Sequence, residues 1–174
     1  MELTEKIRVV AAAVFSSAST DPYATGSSMR ALDSLIRSRV AETLAHAAAA
    51  VRTQYTDAHQ ALGHPSRENP FADAEKLRDL EQIKRLSEQL SNLGSLVSAL
   101  PAPANDRVWQ RLRKNRSLLE LLIEYDYTLV EHAASLERRV QSADLSDGLK
   151  DILAMLDPIK HLLRERSDLL SAVP

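Results

Sequence analysis

Cysteine is absent from the 174 residues, which excludes a disulfide scaffold and any thiolate metal site. Glycine is nearly absent too. The four glycines stand at 26, 63, 94 and 148, too dispersed for a loop that cradles phosphate. Seven aromatic residues and 16 Val plus Ile are too few for most β architectures. No apolar run approaches the roughly 20 residues of a membrane span. Neither charge sign dominates, with 22 basic against 24 acidic residues, so no global excess marks a nucleic-acid or membrane binder.

What is abundant is Leu, 27 residues, and Ala, 24. Both favour helix. The expected class is therefore all-α, and the expected architecture is one domain over residues 1–174. It reads as an elongated antiparallel, coiled-coil-like bundle of about five helices.

The first helix is expected over 3–17, where Leu3, Ile7, Val10 and Val14 recur at helical spacing. Val9 to Phe15, behind Lys6 and Arg8, superficially resembles a signal peptide. Glu2, Glu5 and the helix stripe argue against that reading, so an intracellular, cytoplasmic location is expected.

Residues 18–28 hold Asp21-Pro22, Gly26 and several Ser, and read as a loop with Ser27 or Ser28 as a cap. The second helix is expected over 29–62. Its apolar positions run Met29, Leu32, Ile36, Val40, Leu44, Ala47, Val51, Tyr55, Ala58 and Leu62, which is 33 residues over nine steps. That period is close to an undistorted helix. Gly63 and Pro65 form the stop.

A third helix is expected over 70–100, opened by Asn69-Pro70 and ended by Pro101 and Pro103. A fourth is expected over 106–143. Its seam is Val108, Leu112, Asn115, Leu119, Leu122, Asp126, Leu129, Ala133, Leu136, Val140 and Ala143, an unbroken alternation of four and three. At 1.5 Å per residue it would span roughly 57 Å. Two of its seam positions, Asn115 and Asp126, are polar. A fifth helix, 147–170 behind a Ser146 cap, keeps its stripe of Leu149, Ile152, Leu156, Ile159, Leu163 and Leu170 across Pro158. A continuous helix through that proline is expected.

Chemistry-bearing patterns are sparse. A di-iron bundle needs Glu three residues before His on two helices, and no acid stands there for any of the five histidines. No cofactor and no metal are expected. Glu42 with His46, and His161 with Glu165, sit one turn apart and read as surface pairs. His46 as a phosphoryl acceptor lacks any anion-binding neighbour, since 47–50 are all Ala. Glu120, Glu124, Tyr127 and Glu131 share one stripe, read as a solvated face. No catalytic residue emerges, and an enzyme is not expected.

The expected function is a helical interaction or scaffold protein, a subunit of a larger assembly or a homo-oligomer. Trp109, Leu112, Tyr125 and Leu129 are the expected partner-contact residues, because aromatics and heptad Leu positions carry interface energy. The alternative is an anion-binding module. Arg107, Arg111, Arg113, Lys114 and Arg116 crowd the start of the fourth helix, where cations oppose the dipole. Up-down connectivity would gather eleven cations and six acids at that end, an excess of +5 that leaves −7 elsewhere. Such a basic pole suits docking on an acidic protein surface, nucleic acid or an anionic membrane surface. With one aromatic among the cations, specific nucleic-acid reading is not expected.

Overall fold

The computed structural model describes residues 1–15, 22–62, 73–142 and 145–172. Among them are six helices and no strand: α1 Leu3–Phe15, α2 Gly26–Ala61, α3 Ala74–Ala99, α4 Asp106–Lys114, α5 Arg116–Ser142 and α6 Leu145–Ala172. The all-α expectation holds, with one helix more than expected.

The extra helix comes from Asn115. The single helix expected over 106–143 breaks there, because Asn115 takes extended backbone angles (φ −96°, ψ 100°). Its N–H closes α4 on the carbonyls of Arg111 and Leu112. Its Oδ1 accepts from Leu118 N at 3.3 Å, and its carbonyl accepts from Leu119 N, which together open α5. An Asn side chain competes well for backbone groups outside a helix and suits a cap. Heptad spacing alone cannot register this, since the seam passes through the break in step.

Other boundaries shift less. Thr25, not Ser27 or Ser28, caps α2. Its Oγ1 accepts from Ser28 N while Ser28 Oγ accepts from Thr25 N, a reciprocal capping box. Asp73 caps α3 by accepting from Glu75 N. The expected start at Asn69-Pro70 and stop at Gly63 and Pro65 lie outside the described residues. α6 begins at Leu145, so Ser146 is inside the helix rather than its cap. α6 runs unbroken through Pro158, as expected. Pro158 is exposed, and so is Ala154, whose carbonyl loses its helical donor. Water can serve that carbonyl.

α2, α3, α6 and α5 form the four corners of a bundle. α2 packs on α3 and α5, α6 on α5, and α3 only lightly on α6. α2 and α5 run parallel: Tyr23, just ahead of α2, meets Asp126, and Gln54 further along α2 donates to the Val140 carbonyl. α4 carries the chain across this arrangement, packing on both α2 and α5. α1 lies against α5 and α2.

The core follows the apolar stripes. Met29, Leu32, Ile36, Val40, Leu44, Ala47 and Val51 of α2 are buried, as are Leu86, Leu90 and Val97 of α3. Leu122, Leu129, Ala133, Leu136 and Val140 of α5 join them. All belong to one continuous cluster. Gly94 stands where α3 faces α2. A Cβ there would stand 3.4 Å from the Ala41 carbonyl oxygen and 3.6 Å from Leu44 Cβ.

Candidate functional site

The bundle contains a buried charge cluster where α2, α5 and α6 meet. Arg166 Nε donates to Asp126 Oδ1 at 2.7 Å, and Arg166 Nη1 to Asp33 Oδ1 at 2.7 Å. Tyr23 OH donates to Asp126 Oδ2 at 2.8 Å. Arg37 adds Nε to Asp33 Oδ2 at 3.0 Å and continues from Nη1 to the Leu100 carbonyl at 2.9 Å. Asp33 and Asp126 are each 1% exposed and Arg166 is 5% exposed.

Two carboxylates and two guanidiniums balance in charge, and each buried carboxylate holds hydrogen bonds on both oxygens. Burial pushes the Asp126 carboxyl above its ordinary range, against the opposing pull of Arg166 and Tyr23. Burial works against the Arg166 charge, but Asp126 and Asp33 outweigh it and hold the guanidinium more firmly protonated than usual. The cluster joins three helices and the segment ahead of α2. Asp33, Asp126 and Arg166 are closed to solvent, and Arg37 is partly exposed. The arrangement ties three helices together through charged hydrogen bonds.

This cluster rearranges the basic pole expected from the sequence. The expected geometry is present, with the starts of α2 and α4 beside the ends of α3 and α6. Arg166, however, is buried, and Arg37 is bound to Asp33. Arg30 pairs with Asp106, Arg39 with Glu42, Arg116 with Glu120 and Lys160 with Asp157. Arg107, Arg111, Arg113 and Lys114 are exposed, and none ion-pairs with a described residue.

The dipole argument changes as well. Because the helix ends at Lys114, the cations Arg111, Arg113 and Lys114 occupy the last turn of α4, where the dipole favours them. The expected cost at the start of a long helix applies to Arg107 and to Arg116, which Glu120 offsets.

Three of the four expected contact residues belong to the chain's own core. Trp109 and Leu112 are fully buried, and Leu129 is 1% exposed. Trp109 and Leu112 are spent on internal packing because the helix break turns α4 inward against α2 and α5, and Leu129 is buried on the core seam of α5. The Trp109 indole N–H donates to the Pro103 carbonyl at 2.9 Å. Only Tyr125 reaches the surface, where its hydroxyl donates to Glu165 Oε2 at 3.1 Å. Partial burial, then Glu165, raises its pKa.

The surface pairs also differ. Glu42 turns to Arg39, and His46 Nδ1 lies 3.3 Å from Glu137 on α5. The acidic stripe of α5 is not wholly solvated. α1 covers part of it, with Lys6 bonded to Glu124 and lying 5.8 Å from the Tyr127 ring centroid. Among the described residues, no group of three or more His, Asp or Glu is placed to hold a metal ion.

No family model, curated protein or solved structure matches the chain.

Two surface features remain. Between α3 and α6 runs a groove of about 600 Å³, whose lining includes Leu93, Leu96, Leu100 and Leu163 and the charged Lys160, Arg164 and Asp168. It marks the weakest edge of the four-helix ring, and Leu96 in it is 53% exposed. The second feature is the cationic outer face of α4. Among the described residues, no helix is long and apolar enough to cross a membrane.

Sequence reasoning missed the buried cluster, although a signal was present. Asp126 was a polar intruder in a heptad seam. The α6 stripe skips from Leu163 to Leu170, and the register position in that gap is Arg166. Opposite charges at two core registers are a reason to seek a buried pair.

Proposed function

We propose that this chain is a helical interaction protein, a subunit that receives a partner helix on its open α3–α6 edge, and that it is not an enzyme. The observation that carries the reading is the groove at that edge, where exposed Leu96 joins Leu93, Leu100 and Leu163 in the lining. A leucine more than half exposed beside other apolar side chains is the kind of surface that helix-in-groove recognition uses. The best-organised polar cluster supports the non-catalytic half of the reading. Its two carboxylates and Arg166 satisfy one another and are buried.

The partner suited to this groove is an amphipathic helix with apolar anchors spaced three and four residues apart, from another protein or a second copy. The test compares the wild-type chain with Leu96→Arg, both used as bait in the native source and both weighed by light scattering. The substituted side chain is exposed, so the fold should tolerate it. The reading expects a partner, or a mass above the 19.3 kDa of one chain, that the wild type shows and Leu96→Arg loses. Identical partners and identical masses for the two would overturn it. A second reading, an anion-binding surface, is favoured by the exposed cations of α4.

A further inference from the structure

α4 is a nine-residue helix held firmly in place. Asn105 Oδ1 accepts from Arg107 N at 2.9 Å to cap its start, and Asn115 closes its end. Trp109 and Leu112 anchor its inner face without exposure. Gly26 of α2 approaches so closely that a Cβ there would stand 3.1 Å from Gln110 Cγ and 3.4 Å from the Asp106 carbonyl oxygen. The helix backbone therefore presents its outer side chains from fixed points.

Those side chains are cations. At 100° per residue, Arg107, Arg111 and Lys114 fall within about 60° of one another, with rises of about 6 and 4.5 Å between them. Arg113 is exposed too, but stands off that line. The neighbouring acid Asp106 is engaged by Arg30.

We propose that the outer face of α4 docks an acidic helix of a partner protein, one carrying carboxylates three and four residues apart along a single face. Such a helix repeats the spacing of Arg107, Arg111 and Lys114, so three pairs can form together. The guanidinium forks of the two arginines suit carboxylates.

The surroundings favour this partner over other polyanions. The one tryptophan is buried, so α4 offers no exposed aromatic on which a base could stack. Its two other apolar residues, Leu112 and Val108, are spent on the core, so nothing is left to enter a bilayer. A single helix, about 10 Å wide, matches the narrow line of three cations.

The inference concerns a different surface from the α3–α6 groove, and its test leaves Leu96 untouched. An alanine-based helical peptide with glutamates spaced three and four apart would be titrated into the full chain at low salt and followed by amide chemical shifts. The expected result is shifts centred on α4. Affinity should fall at least about fivefold for a peptide of equal composition with the glutamates spread around the helix, as losing two ion pairs implies. Arg111→Glu should weaken binding as strongly, whereas Arg113→Glu should change it less than about twofold. Equal binding of the spread peptide, or equal loss from Arg111→Glu and Arg113→Glu, would overturn the ladder. So would tighter binding of a 20-base-pair duplex or of phosphatidylserine vesicles, and so would no binding of the peptide.

Discussion

Arg166 and Asp33 stand 133 residues apart in the chain, and their charged groups lie 2.7 Å apart in the core. The same guanidinium holds Asp126 on a third helix. Replacing Arg166 with Met would leave two buried carboxylates sharing only Arg37 and Tyr23. Breaking a buried ionic group by removing one partner costs about 3–5 kcal/mol. Urea denaturation should therefore show Arg166→Met losing several kcal/mol, and combining it with Asp126→Leu should restore at least half. A loss under about 1 kcal/mol would mean the cluster contributes little.

Asp126 makes the stability depend on pH. Its carboxyl is raised above the ordinary range by burial, so the folded chain holds that proton more tightly than the unfolded chain. The contribution is fully present below the unfolded value, about 4, and is lost as pH rises through the raised folded value. Across that interval the wild type should lose stability relative to Asp126→Asn. Thermal unfolding of both chains from acid to neutral pH checks this, and a wild type that gains relative to the variant contradicts it.

Asn115 serves two helices at once. Its Oδ1 accepts from Leu118 N, and its backbone closes α4 and opens α5. Asn115→Ala removes the side-chain cap and should cost about 1 kcal/mol, while Asn115→Ser or Asn115→Asp should retain most of it. Guanidinium midpoints for the three variants measure the difference. A stabilised Asn115→Ala would show that one long helix is preferred over the break.

Gly94 lies inside α3, five residues before its end, where glycine costs about 1 kcal/mol against alanine. A Cβ meets Ala41 and Leu44 at ordinary contact distances. Gly94→Ala should therefore stabilise the chain, by about 0.5–1 kcal/mol. Gly94→Leu should destabilise it, because the larger side chain must force α2 and α3 apart. If Gly94→Ala lowers the melting temperature, the two helices are packed too tightly for even a methyl group.

Much of the fold was legible because helix is a local decision. Met29 through Val51 announce a buried stripe by spacing alone, and the α5 seam from Leu122 to Val140 does the same. The break at Asn115 was not legible, because a helix can pass through an Asn at little cost unless packing favours turning the chain. Here Trp109 and Leu112 gain a place against α2 and α5 when it turns. The same turn buries Trp109 and Leu112, while Leu129 is buried with the rest of the α5 seam. Spacing shows which residues share a face, but not whether that face meets the chain itself or a partner.

The residues alone determined the class. Without cysteine, with four glycines and with Leu and Ala in excess, the chain could bury its surface only by packing helices together. Tertiary structure decided which charges count. Arg166, Asp33 and Asp126 look like surface charges or seam defects until three helices bring them together, and that pairing removes one cation from the basic end. The exposed cations of α4 keep their place because no described carboxylate reaches them. Charge interactions depend on distance through space and on access to water, and a linear sequence contains neither until it folds.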